Sequence, residues 1–308
     1  MKPYNCLVVL GPTASGKTRL ACQLAGLLNG EIISADSRQV YRRLDIGTGK
    51  DLEEYAINGK HIPYHLIDVI EPGGQFYLHQ FIDGMRQAFD SIRTKQHLPI
   101  ICGGTGLYLD TLRKDFSLTQ IKENAALRQK LDLLSKEELL ERISTYPKEY
   151  TAQIDLSSKK RMIRGIEIAE HFSETGTEIK STELPYKPYY LGIDPGIDAR
   201  RQRISERLNK RLNEGLIEEV QHLLDTGITH ERLQLFGLEY KFVSHYLQQR
   251  ITREELFTQL QTAIFQFAKR QMTWFRKMEK EGVGIHWINS EFDMQDFAAH
   301  FKSQISFE

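Results

Sequence analysis

Apolar positions in the first hundred residues come in short runs separated by helical pattern. Cys6–Leu10 is one such run, ending at Gly11, and a helix is expected from near Gly16. Residues 31–35 (EIISA) read as a second strand, 65–69 (HLIDV) as a third and 98–102 (LPIIC) as a fourth, before Gly103-Gly104. Strands this apolar, alternating with helical stretches, predict a parallel sheet covered on both faces. From residue 116 the texture changes. Leu127, Leu131, Leu134, Leu139, Leu140 and Ile143 fall at near-helical spacing among charges, with no strand-like run. A mostly helical insertion is therefore expected over 116–181, closing around a loop at Ser173-Glu174-Thr175-Gly176, with 1–115 and 182–308 forming the core. Residues 189–193 (YYLGI) return to the sheet and stop at Asp194-Pro195.

Two stripes follow. Ile204, Leu208, Leu212, Leu216, Val220 and Leu223 make one at spacings of three to four, and Leu256, Leu260, Ile264 and Phe267 make another that runs toward Trp274. Core packing is the expected role of these apolar residues.

The chain has 308 residues, enough for one large domain or a core with a sizeable insertion. Its 41 basic and 41 acidic residues cancel, so global charge does not announce a nucleic-acid binder and the distribution matters more than the sum. No apolar run approaches the roughly 20 residues of a membrane-spanning helix. The first residues run straight into a strand, so no secretory signal is expected. Cys6, Cys22 and Cys102 lie far apart in apolar stretches with no ligand spacing, as small buried hydrophobes do. A reducing cytoplasm is the expected location, and nothing demands more than a monomer.

Gly11-Pro12-Thr13-Ala14-Ser15-Gly16-Lys17-Thr18 matches G-x-x-x-x-G-K-[ST], with a strand before it and helical pattern after. The glycines let backbone N–H groups turn into an anion-binding nest at a helix N-terminus. Lys17 adds a full charge, and Thr18 is placed to ligate a magnesium ion held by the same phosphates. The fold class is thus α/β, a P-loop-type parallel sheet flanked by helices, with the helical insertion. The loop names no base, and no N-K-x-D guanine-reading motif occurs. Alone it suits a kinase, an ATPase or an enzyme that expels diphosphate.

Ligands of open parallel sheets sit beyond the carboxyl ends of the strands. Asp36 and Ser37 lie there, after the second strand, and Asp36 reads as a base for an acceptor or as a loop cap. The fourth strand ends in Gly103-Gly104-Thr105-Gly106, where small residues admit close backbone approach and Thr105 brings a hydroxyl.

P-T-A-S-G-K-T, D-S-R-Q-V-Y and G-G-T-G-L-Y, in this order, resemble the tRNA dimethylallyltransferases, also called tRNA isopentenyltransferases. Lys160-Arg161-Met162-Ile163-Arg164 with Glu167, Gly215-Leu216-Ile217-Glu218-Glu219-Val220 and Ala268-Lys269-Arg270-Gln271-Met272-Thr273-Trp274-Phe275-Arg276 extend the resemblance over roughly residues 5 to 280. It implies transfer of a dimethylallyl group from dimethylallyl diphosphate to N6 of the adenosine immediately 3′ of the tRNA anticodon. Gly11 to Thr18 would then hold the donor's diphosphate with Mg2+, and ATP would have no part. Asp36 would take the proton from the amine, Thr105 would lie near the bridging oxygen, and Lys17 and Arg207 would neutralise the leaving diphosphate.

The adenosine must leave its stack, and reading a single-stranded anticodon loop calls for positive charge and stacking surfaces. Ser37, Arg38 and Gln39 beside Asp36, the 160–164 stretch, and Lys269, Arg270 and Arg276 beside Trp274 and Phe275 are the expected tRNA contacts. One segment departs from the family pattern, which has a glycine, then Tyr, then a basic residue. Here Gln234 and Gly237 are kept, but Leu238 and Glu239 take the aromatic and basic positions. That segment contacts tRNA in the family, and the departure leaves the donor site untouched. The C-terminal Cys/His cluster of eukaryotic relatives is absent from the sequence. A small-molecule or nucleotide kinase would share the P-loop and the Asp, without needing the insertion or A-K-R-Q-M-T-W-F-R. Intact Lys17, Thr18, Asp36 and Thr105 argue against an RNA-binding protein that has lost catalysis.

Overall fold

Six parallel strands build the central sheet: β1 (Cys6–Leu10), β2 (Gly30–Ala35), β3 (Tyr64–His65), β4 (Leu98–Gly103), β5 (Pro188–Ile193) and β6 (Ile285–Ile288), in the order β3-β2-β4-β1-β5-β6. The computed structural model describes residues 3–57, 59–152, 154–176, 183–289 and 291–306. β1 is central, with Leu7 opposite Ile100 of β4 and Tyr189 of β5. Successive side chains of a strand point to opposite faces. Accordingly Cys6, Val8 and Leu10 join Phe81, Met85 and Phe89 of helix Leu78–Thr94 and Phe275 of helix Arg253–Lys280. Leu7 and Val9 join Ala21, Leu24 and Ala25 of helix Lys17–Leu28 and Phe301 of helix Met294–Lys302. Each fully buried Leu, Val or Phe contributes about 1.5–3 kcal/mol, so this two-faced core holds the strand ends rigidly in place. The three cysteines are buried within it, and burial raises their thiols, Cys102 to about 12.

A third core lies among helices Ile197–Asn213, Leu216–Asp225, Leu238–Leu247 and Arg253–Lys280, with Leu208, Val220, Tyr240 and Leu260 at its centre. The chain divides into two compact units, Met1–Arg113 with Pro185–Glu308, and Lys114–Leu184. The second unit has helices Ala125–Leu131, Lys136–Ser144, Lys148–Thr151 and Lys159–Thr175 and its own core of Leu131, Leu139, Ile143, Met162, Ile163 and Ile166. Among the described residues, no helix is long and apolar enough to cross a membrane.

Several local expectations need correction. The third strand stops at His65, because Leu66 and Asp68 adopt positive φ (62° and 56°) and break the extended run expected to 69. Ser173 to Thr175 form the last turn of a helix, capped by Gly176 in the left-handed region, and residues 177–181 of the expected insertion lie outside the described residues. The stripe from Ile204 to Leu223 is divided between two helices at Gly215 (φ 107°). Phe267 is 39% exposed, because Ala268 instead faces the core at that turn. Strand β6 was unannounced by periodicity, since IHWI is short and only partly buried at the sheet edge.

Candidate active site

β1, β2 and β4 end side by side, so the loops that follow them, from Gly11, Asp36 and Gly104, share one edge of the sheet. Positive φ at Ala14 (59°) and Gly16 (88°) curls the first loop before helix Lys17–Leu28, the type of conformation that gathers N–H groups into an anion-binding concavity. Gln271 ties this loop to the third. The Thr13 N–H donates to its Oε1 (2.8 Å), and its Nε2 donates to the Gly104 carbonyl (2.9 Å). Arg207 donates to the Thr13 hydroxyl and Arg203 to the Ser15 carbonyl (3.3 Å).

Lys17 and Arg207 are half-buried, whereas Arg203 is exposed. Burial holds Lys17 below the ordinary lysine range. Burial and then the neighbouring Arg211 charge bring Arg207 down to about 10. An anion bound between them would relieve both effects.

Asp36 is half-buried. Its Oδ1 accepts the Arg38 N–H (2.8 Å), and the Ser37 N–H donates to Thr105 Oγ1 (3.2 Å). The carboxylate therefore caps its own turn with one oxygen, and the turn is pinned to Thr105. Gln39 is buried, accepting from Ser34 Oγ (2.9 Å) and donating to the Gly49 carbonyl (3.0 Å), while Arg38 donates to the Leu235 carbonyl.

Two hollows meet at this turn. A small polar one is lined by Lys17, Thr18, Asp36, Asp51 and Arg207. A larger cavity of about 500 Å³ has polar lining from Asp36, Thr105, Arg211 and Arg270 and apolar lining from Leu107, Phe236, Leu238, Phe267 and Trp274. Thr13, Asp36, Thr48 and Arg207 border both.

The structure adds residues absent from the sequence-based site. Glu219 accepts the N–H groups of Asp45 (2.8 Å), Ile46 (2.7 Å) and Gly47 (3.0 Å) and the Tyr240 hydroxyl (2.7 Å). One carboxylate thus fixes the loop that carries Gly47 and Thr48 into the cavity wall. Gln271 and Glu219 both stand in motifs noted above, but nothing in sequence distinguishes a loop-bridging side chain from its neighbours. Arg211 is 7% exposed, with Nη1 3.9 Å from Glu239 and Nη2 3.7 Å from Asp51. It packs on Gly49 so closely that a Cβ there would overlap the guanidinium, and φ of +63° also favours glycine at that position.

The expected tRNA contacts separate. Arg270 borders the cavity, its guanidinium 5.9 Å from the Phe267 ring centroid, whereas Lys269 and Arg276 are exposed on the same helix outside the cavity lining. In the insertion, Lys160 and Arg161 are exposed, and Arg161 pairs with Asp155 (2.8 Å). Met162 and Ile163 are buried in the core of the insertion. Arg164 donates to the carbonyls of Leu118 (3.0 Å) and Ile121 (2.7 Å).

Comparison with known proteins places this arrangement. Residues 39–278 match the family described as IPPT, IPP transferase. The protein named tRNA dimethylallyltransferase 2 from Phocaeicola vulgatus is 48% identical over 297 residues, covering 96% of each chain. The protein named tRNA dimethylallyltransferase 1 from Geotalea daltonii is 44% identical over 291 residues, covering 94% of this chain and 92% of the relative. Among solved structures, the full-length tRNA isopentenylpyrophosphate transferase from Bacillus halodurans is similar with a TM-score of 0.70 at 31% identity, covering 97% of this chain and 96% of that one. A eukaryotic dimethylallyltransferase acting on tRNA shares the fold, with a TM-score of 0.75 at 24% identity, covering 95% of this chain and 74% of that one.

Proposed function

The chain belongs to the IPP transferase family and is a transferase, and on that premise we propose that it moves a dimethylallyl group from dimethylallyl diphosphate to N6 of the adenosine 3′-adjacent to the anticodon in tRNA. The observation that carries this reading is the junction at Asp36. One carboxylate borders both a small polar pocket lined by Lys17, Thr18 and Arg207 and a large cavity with apolar walls. The first suits a diphosphate and the second a prenyl group with a flipped base.

The reaction breaks the allylic C1–O bond, leaves the electron pair on diphosphate, and forms a C–N bond to the adenine amine. Lys17, Arg207 and the loop amides stabilise the growing negative charge on the leaving group. The amine is a weak nucleophile because its lone pair is delocalised into the ring. Asp36 takes its proton as the new bond forms, through Oδ2, since Oδ1 is engaged by the Arg38 N–H. Thr105, pinned to the same turn, is assigned to the donor's bridging oxygen.

The donor set fits magnesium. Thr18 offers a hard hydroxyl oxygen in the small pocket. When bound, magnesium would be held by Thr18 and would supply further neutralisation of the diphosphate. Arg38, Lys160, Arg161, Lys269, Arg270 and Arg276 are assigned to the tRNA backbone, with affinity that weakens as salt rises.

The test is incubation of the protein with unmodified tRNA, magnesium and labelled dimethylallyl diphosphate. Label is expected in RNA at that adenosine. No incorporation, with ATP-dependent phosphorylation of a small acceptor instead, would replace this reading by a kinase. Asp36→Ala is expected to lose on the order of 10²- to 10⁴-fold in turnover while keeping most of its tRNA affinity. Near-normal turnover in that variant would move the base elsewhere.

A further inference from the structure

Arg211 is a buried guanidinium without a satisfied partner. Its Nη2 is fully buried and makes no hydrogen bond. The carboxylates beside it, Glu239 at 3.9 Å and Asp51 at 3.7 Å, sit outside bonding distance. Such a group is costly to leave unmet, and buried polar atoms in proteins are satisfied in the great majority of cases. The backbone at Gly49 is shaped around it and leaves no room for a side chain. Arg211 also lines the large cavity together with Asp36 and Glu239, and it stands one helical turn beyond Arg207, which reaches the P-loop threonine.

We propose that Arg211 is a substrate-binding residue whose guanidinium, short of hydrogen-bond partners, receives a phosphate oxygen in this cavity, with Glu239 and Asp51 beside it. The inference rests on the function proposed above. Two sources can supply that oxygen, the backbone of the acceptor RNA or the donor diphosphate. The RNA is favoured, because Arg211 borders the large cavity and does not border the small pocket that holds Lys17 and Thr18. Glu239 is then the orienting partner of Arg211, which gives a physical sense to an acidic residue at the position where the family pattern has a basic one.

The test compares the wild type, Arg211→Gln, Arg211→Lys and the double variant Arg211→Gln/Glu239→Gln. Dissociation constants are measured for unmodified tRNA and, separately, for inorganic diphosphate with magnesium, and melting temperature is followed in parallel. Arg211→Gln is expected to weaken tRNA binding at least tenfold. The slope of log K against log salt should also become shallower by roughly 0.7 to 0.9, the signature of one lost phosphate contact. Arg211→Lys is expected to keep the slope and lose part of the affinity. The double variant removes the stranded charge, so it recovers melting temperature without recovering affinity. A tenfold loss confined to inorganic diphosphate also supports the proposal and assigns the oxygen to the donor. A double variant that regains both stability and affinity, or a single variant that changes melting temperature alone, overturns it, because Arg211 is then only a strut for Glu239. These readouts need no turnover, so absent label transfer by the wild type would defeat the proposed reaction and leave the Arg211 result legible.

Discussion

Glu167 in the helical insertion and Arg211 in the core unit are both buried members of ion pairs, and they are treated in opposite ways. Glu167 accepts two parallel bonds from Arg128 at 2.8 Å, a third from the Asn124 N–H at 2.9 Å and a longer one from Arg164 at 3.4 Å. Arg211 has two carboxylates near it and hydrogen-bonds through Nη2 to neither. Four buried side-chain polar atoms lack a partner among the described residues, and three belong to residues at the cavity or the P-loop: Ser15 Oγ, Arg211 Nη2 and Trp274 Nε1. Satisfied charges hold a fold together, whereas desolvated and unsatisfied ones mark where a ligand is to complete the set.

The largest expected effect comes from removing a cation whose charged form burial disfavours. Lys17→Ala should lower turnover on the order of 10³-fold, since in the proposed reaction its charge stabilises the departing diphosphate. Its melting temperature should hold or rise, because a desolvated charge has been removed. Turnover within tenfold of the wild type would contradict the contrast at its centre. A pH series sharpens the same point. Burial lowers the Lys17 pKa, and a bound anion favours the charged form, so affinity for inorganic diphosphate should fall as pH rises through the lowered value.

On the satisfied side the effect is on stability. Glu167→Ala leaves the two N–H arms of Arg128 and the Asn124 N–H without their acceptor, and removal of one partner from a buried pair costs about 3–5 kcal/mol. Hydrogen exchange should show lost protection in helices Ala125–Leu131 and Lys159–Thr175, while inorganic diphosphate binding by the core unit persists. Unchanged protection there would mean that the four bonds contribute little.

The strand ends and the strand-loop-helix context of Gly11 to Thr18 were legible in the sequence because both rest on local rules. Apolar runs of five or six residues give β1, β2, β4 and β5 to within a residue, and the helix expected near Gly16 begins at Lys17. Contacts made over long separations were not legible. Gln271 reaches Thr13 across 258 positions and Glu219 reaches Asp45 across 174, and neither pairing leaves a trace in local periodicity. Basic residues were ambiguous for a related reason. Arg164 and Lys160 carry the same formal charge in one short run, yet one is spent on backbone carbonyls and the other faces solvent, a difference set by tertiary packing alone. Phe267 looked like core because it continues a stripe, and only the packing of Ala268 beside it frees the ring for the cavity.

The smallest expected effect tests the satisfied class a second time, in the core unit itself. Glu31 is 1% exposed and is met by His65 Nε2 (2.8 Å), His97 Nδ1 (2.7 Å) and Lys95 Nζ (3.0 Å). Burial pushes its carboxyl up, but the three donors outweigh burial and hold it at about 2. A carboxylate whose folded pKa lies below its unfolded value stabilises the fold above the unfolded value, near 4.3, and loses that contribution as pH falls toward the folded one. The window is therefore about pH 4.5 down to about pH 2. The contribution at stake is roughly 2 kcal/mol after allowing for the half-exposed Lys95. Denaturant unfolding of the wild type and Glu31→Gln at pH 5 and again at pH 3 should show the gap between them narrowing on acidification. A constant gap would mean that the donors around Glu31 do not favour its ionised form, and the division between satisfied and waiting charges would then fail in the very unit that holds the cavity.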